Sequence, residues 1–168
     1  MGFGEHKKDA PKSVKVGVIS VSSTRTEAND ESGAWIKKLV IKEGHKVVFY
    51  QIVPDDVYYI TETLRRAIYE QAPQVLLLTG GTGISSKDVT IEAVRPLFEK
   101  ELTSFGSIFS QLSFEEIDSA ALLSRATAGV IGKTIVFCMP GSLNACKLAC
   151  KALIFPELGH LAKHALEK

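Results

Sequence analysis

The chain has 168 residues, 45% of them hydrophobic, with 20 basic against 19 acidic side chains and a net charge of +1 at pH 7. That length suits one domain burying roughly 70% of the surface its unfolded form exposes. The even charge balance gives no support for a nucleic-acid or membrane surface as the main partner, so any anion site must be local.

Residues 1–13 are polar, read as a mobile tail without an apolar signal core, and residues 14–168 as a single α/β domain. The β-branched run 14–21 predicts a buried strand. A polar loop, 22–30, follows, and Asp30 or Ser32 is placed to cap a helix carrying Trp35, Ile36, Leu39 and Val40 on one face. Gly44 closes that helix. Residues 47–53 predict a second strand stopped by Pro54, and Ile60, Leu64, Ala67 and Ile68 mark a second amphipathic helix that ends before Pro73. Residues 75–78 are all apolar, as a strand covered on both faces requires.

Beyond them, 89–97 reads as a short helix and 105–117 as a longer one, with Phe105, Ile108, Phe109 and Leu112 at core spacing. Residues 127–131 and 134–139, joined by Gly132-Lys133, read as a hairpin. A helix then runs through Leu143, Cys146, Ala149, Cys150 and Leu153 until Pro156, and a last one reaches the C-terminus. The expectation is a three-layer open sheet, mainly parallel, with helices on both faces and a small antiparallel hairpin addition. No run approaches about 18 apolar residues, so no membrane span is expected. Cys138, Cys146 and Cys150 are odd in number and lack a CxxC spacing, which fits packing residues in a reducing cytoplasm.

In a parallel sheet the loops 22–30, 54–56, 80–88 and 140–142 gather at the carboxyl ends of the strands, where ligands bind. Gly80, Gly81, Thr82 and Gly83 read as an anion-binding loop, because glycine permits close backbone approach and successive N–H groups form a concavity. The loop matches neither the P-loop nor the dinucleotide fingerprint, and a plain strand-to-helix turn would use the same residues. Asp55 and Asp88 are candidate Mg²⁺ ligands, since magnesium is held by one or two acids plus substrate phosphates. The plainer alternatives are a Pro-Asp turn at Asp55-Asp56 and a helix cap at Asp88. His160 and His164, four apart with Glu157 three before, have a spacing that could bind a divalent metal, but histidine near a helix C-terminus is adequately explained by the macrodipole. No nucleophile signature appears, which argues against covalent catalysis.

The run Gly80 to Glu92, with Asp30-Glu31-Ser32-Gly33, Pro54-Asp55, Ser104-Phe105-Gly106, Leu123-Ser124-Arg125-Ala126 and Met139-Pro140-Gly141-Ser142, resembles the MogA/MoaB family of molybdenum cofactor biosynthesis proteins. The resemblance covers residues 14–153. It implies a homotrimer or hexamer and Mg²⁺- and ATP-dependent adenylylation of molybdopterin with release of pyrophosphate. It also implies a MoeA-like partner that inserts molybdate. Asp55 and Asp88 would be the essential acids, acting through Mg²⁺, and Gly80, Gly81, Thr82 and Gly83 the phosphate cradle. Pro140, Gly141 and Ser142 would line the nucleotide or pterin pocket, with Ser22, Thr24, Asp30, Ser124 and Arg125 as secondary contacts. A non-catalytic pterin carrier of the same fold is the alternative. Two departures stand out: Ser107 follows Phe-Gly where an acid is common, and Lys87 replaces an arginine, losing its planar fork. The region of Phe98, Phe105, Phe109 and Phe114 offers aromatic surface for packing between subunits, or for an ordinary core.

Overall fold

The structure is a computed structural model that describes residues 11–167; most of the expected tail, residues 1–10, lies outside the described residues. Among those described, six strands form one sheet: β1 (Lys15–Val21), β2 (Lys46–Val53), β3 (Val75–Thr79), β4 (Lys100–Glu101), β5 (Thr127–Ile131) and β6 (Thr134–Met139). Their order is β2-β1-β3-β6-β5-β4. The first four run parallel and the last two are antiparallel additions. The expected hairpin is β5-β6, but only β5 is an addition, because β6 pairs in parallel with β3 and belongs to the central sheet. Strand β4, not foreseen, extends that edge by two exposed residues.

The strands are interleaved with α1 (Glu31–Lys42), α2 (Val57–Gln71), α3 (Thr90–Val94), α4 (Thr103–Ile117), α5 (Leu143–Leu148) and α6 (Leu158–Leu166). Along β3, Val75 and Leu77 pack with α1, α4, α5 and α6, while Leu76 and Leu78 pack with α2 and α3. Successive side chains of a strand point to opposite faces, so one apolar run supplies both cores and fixes three layers. Each leucine so buried contributes about 1.5–3 kcal/mol.

Three local expectations need correction. Helix α4 starts at Thr103 and buries Phe105, Phe109 and Ser113, whereas Ile108 is exposed. Its buried face follows a strict four-residue step. Phe105 and Phe109 are thus core, Phe98 packs against Gly129, and Phe114 alone of the four aromatics is exposed. After α5 the chain forms a π-helical turn, Ala149–Ile154, rather than a continuous α-helix. Pro156 follows it and cannot donate to the preceding turn, which loosens that end. Cys138, Cys146 and Cys150 are free and fully buried. Burial pushes the Cys138 thiol up to about 12 and raises the other two.

Candidate active site at the strand ends

The parallel strands bring the loops after β1, β2, β3 and β6 to one edge of the sheet. The glycine loop is shaped by space as much as by torsion. Gly80 and Gly81 have φ of +100° and +67°, and a Cβ on Gly80 would lie 2.2 Å from the Val21 carbonyl oxygen. Thr90 ties the loop down: its hydroxyl donates to the Gly80 carbonyl at 2.8 Å and its N–H to the Gly81 carbonyl at 2.9 Å. Gly141 sits against Gly80, so the loops after β3 and β6 share one wall.

A hollow of about 400 Å³ opens there, within the size range of small-ligand sites. It is lined by Ser22, Thr24, Gly80, Gly81, Thr82, Gly83, Asp88, Ser124, Pro140 and Gly141, all anticipated, and by Val21, Arg25 and Leu123, which were not. A second hollow of about 360 Å³ also includes Ser124 and Arg125 in its wall. Inside the cradle, the Thr82 hydroxyl is buried and has no hydrogen-bond partner. Among the described residues it is the one buried side-chain polar atom in that state.

The two proposed acids flank the cradle. Asp55 accepts from the Ser23 N–H at 2.8 Å and its hydroxyl at 2.7 Å, both on Oδ2. Its Oδ1 lies 3.3 Å from where a Cβ on Gly81 would stand. The neighbouring Asp56 takes the capping duty instead, accepting from the N–H groups of Tyr58 and Tyr59 at the start of α2. Asp88 does not cap α3; its Oδ2 accepts from the Ser85 N–H at 2.9 Å and presses against Gly83.

A family model described as "Probable molybdopterin binding domain" matches residues 17–160. The chain belongs to this family. A molybdenum cofactor biosynthesis protein B from Bacillus cereus is 47% identical, with 96% of each chain covered. A Pyrococcus furiosus protein named molybdopterin adenylyltransferase is 47% identical over 99% of this chain and all of its own. The crystal structure of the tungsten cofactor synthesizing protein MoaB from Pyrococcus furiosus superposes with a TM-score of 0.84 at 45% identity. It covers 94% of this chain and 100% of that one. The family's role is molybdenum cofactor biosynthesis, and the α/β sheet is the family fold.

Several anticipated residues of this family member do structural work around the hollow rather than line it. Asp30 is buried: it accepts from the Ser20 hydroxyl at 2.5 Å, from Tyr50 at 2.8 Å and from the Gly33 N–H at 3.0 Å, capping α1. Burial works against its charge, but these bonds and Arg25 at 3.6 Å outweigh it and hold the carboxyl below its usual value. Ser142 caps α5 through the Ala145 N–H. Arg125 braces the cradle from behind, donating to the Thr82 carbonyl at 2.9 Å and to Gly83 at 2.9 and 3.1 Å, while it pairs with Glu92. Their hydrogen bond raises the guanidinium and lowers the carboxyl.

Arg25, which the sequence did not single out, places a guanidinium on the rim and donates to the Gly141 carbonyl at 3.2 Å. Its signal in the sequence was faint: one cation in a loop of hydroxyls. Ser23, which holds Asp55, carried no sequence signal beyond being another serine of that loop.

Proposed function

We propose that the chain transfers the adenylyl group of ATP to the terminal phosphate of molybdopterin in a Mg²⁺-dependent step. A pterin phosphate oxygen bonds to the α-phosphorus, the bond from that phosphorus to the bridging oxygen of the β-phosphate breaks, and pyrophosphate leaves. The incoming phosphate is already ionised at pH 7, so no strong base is needed.

Thr82 carries the reading. A buried hydroxyl left without a partner costs about 1–3 kcal/mol, and a phosphate oxygen accepting from it removes that cost. The surrounding N–H groups of the glycine turn favour the same ligand. The name of the Pyrococcus furiosus relative supports the choice of reaction.

Magnesium fits the residues present: Asp55 and Asp88 offer hard oxygens on either side of the cradle, and the substrate phosphates complete such a site. Bound there, Mg²⁺ supplies charge neutralisation on the transferring group. Ser23 orients Asp55, Arg125 and Thr90 hold the cradle, and Arg25 adds positive charge at the rim. Holding both reactants in line is the chain's main contribution. The adjoining hollow at Ser124 and Arg125 gives a two-part substrate a second compartment.

The purified chain with Mg²⁺, ATP and molybdopterin is expected to form adenylylated pterin and pyrophosphate. Turnover no greater than that of Asp88→Asn would overturn the reading, and pterin binding without Mg-ATP binding would indicate a carrier.

The same reading includes a homo-oligomer. Ile108, Phe114, Ile117, Leu122 and Leu123 are all exposed on α4 and the turns after it, a face suited to a second copy. Sedimentation tests it; a strict monomer at micromolar concentration would refute it.

A further inference from the structure

We propose that His160 and His164, on α6, form a binding site for a late first-row divalent cation such as Zn²⁺ or Ni²⁺, apart from the strand-end hollow. Residues four apart share one helical face, and here the two rings converge. Nε2 of His164 lies 2.9 Å from Nε2 of His160, with ring centroids 4.6 Å apart.

The opposite ring nitrogens are both turned to carboxylates. His164 Nδ1 is 2.8 Å from Glu167 Oε2, and His160 Nδ1 is 3.3 Å from Glu157 Oε2. An ionised carboxylate only accepts, so the geometry suits a hydrogen on each Nδ1, which turns the Nε2 lone pair of each ring toward the other. Two lone pairs facing each other at 2.9 Å repel unless a positive species bridges them.

A metal ion meets that need in geometry and in chemistry. Two imidazole nitrogens, each about 2.1 Å from one ion, are about 3 Å apart at the right angle of a square-planar or octahedral site and about 3.4 Å apart at the tetrahedral angle of zinc, so the observed 2.9 Å needs at most a small opening of the rings. A carboxylate on the far nitrogen is the arrangement that fixes the tautomer of metal-bound histidine and raises its basicity. Imidazole selects zinc, nickel or copper, whereas magnesium prefers the oxygens of Asp55 and Asp88, so the two sites sort cations by ligand type. Among the described residues no group of three or more such side chains converges. Among the described residues the site therefore supplies two protein ligands, and its other positions fall to water or to a further donor. His164 is half exposed, which keeps those positions open.

The test is calorimetric titration of the full chain with Zn²⁺ at pH 7.5 in excess Mg²⁺. We expect one saturable equivalent, weakened about tenfold by Glu167→Gln and abolished in the His160→Gln/His164→Gln pair, with circular dichroism unchanged. Adenylyl transfer is expected to be the same in that pair as in the native chain. Electron paramagnetic resonance with Cu²⁺ gives a second reading: two nitrogen couplings in the native chain and one in His164→Gln. Equal Zn²⁺ affinity in the paired variant, or competition by Mg²⁺, would overturn the proposal. So would the absence of saturable binding, because a proton alone would then bridge the rings.

Discussion

Asp30 and Asp88 stand at the same edge of the sheet, each just before a helix, yet they live in opposite circumstances. Asp30 is buried and accepts three hydrogen bonds with a guanidinium nearby. Asp88 is half-exposed, lines the hollow and accepts one bond, on Oδ2, from its own loop. The difference teaches that an acid at a ligand-binding edge is assigned by how much of its hydrogen-bonding capacity the fold has already used. Asp30 belongs to the scaffold, whereas Asp88, with one bond on Oδ2, and Asp55, with both of its bonds on Oδ2, keep an oxygen in reserve for the ligand proposed above.

The contrast predicts a crossed pair of variants. Asp88→Asn is expected to lower adenylyl transfer by about 10²–10³-fold, the loss typical of one charge-stabilising group, while thermal stability stays within about 2 °C of native. Steady-state kinetics beside calorimetry checks both; a variant that melts early would break the distinction. Asp30→Ala is expected to do the reverse, costing about 2–3 kcal/mol by urea unfolding because Ser20 and Tyr50 lose a charged acceptor.

Acid sharpens the same point. A carboxyl held lower in the folded chain than its ordinary 3.8 stabilises the fold at every pH above that value. The benefit disappears as pH falls from about 4 through the folded value, so native stability should drop more steeply there than that of Asp30→Asn. Equal slopes in urea titrations from pH 5 to pH 2 would remove Asp30 from the scaffold.

The smallest effect belongs to Thr82→Val, which deletes a hydroxyl with no partner. Folding stability should be unchanged or slightly higher, and Mg-ATP affinity should fall about fivefold to tenfold, or roughly 1 kcal/mol. Loss of stability with native affinity in Thr82→Val would mean that the hydroxyl serves the fold.

Much of this was legible in the chain. The run at residues 75–78 announced a strand covered on both faces, and the loop spacing placed the cradle, Asp88 and Pro140 at one edge. Between Asp55 and Asp56, adjacency hid which acid caps the helix. The answer depends on the Ser23 loop, 32 residues away, taking hold of Asp55. The bracing role of Arg125 escaped because its partners are carbonyls of a distant loop, which no local pattern encodes. Strand β4 escaped because two exposed residues give no periodicity to read. The strict four-residue face of α4 escaped because Ile108 and Leu112 are as apolar as Phe105 and Phe109, while the third residue it buries, Ser113, is polar.

The three buried thiols give the molecule a built-in clock. Each is shielded from solvent and held protonated at neutral pH, so a thiol-directed reagent finds no thiolate to attack in the closed protein. Cys138 faces one core and Cys146 and Cys150 the other. Labelling that proceeds at one rate for all three would report concerted opening of the domain. Faster labelling of Cys146 and Cys150 would reveal that the helices after β6 peel away first, with the sheet beneath them still closed.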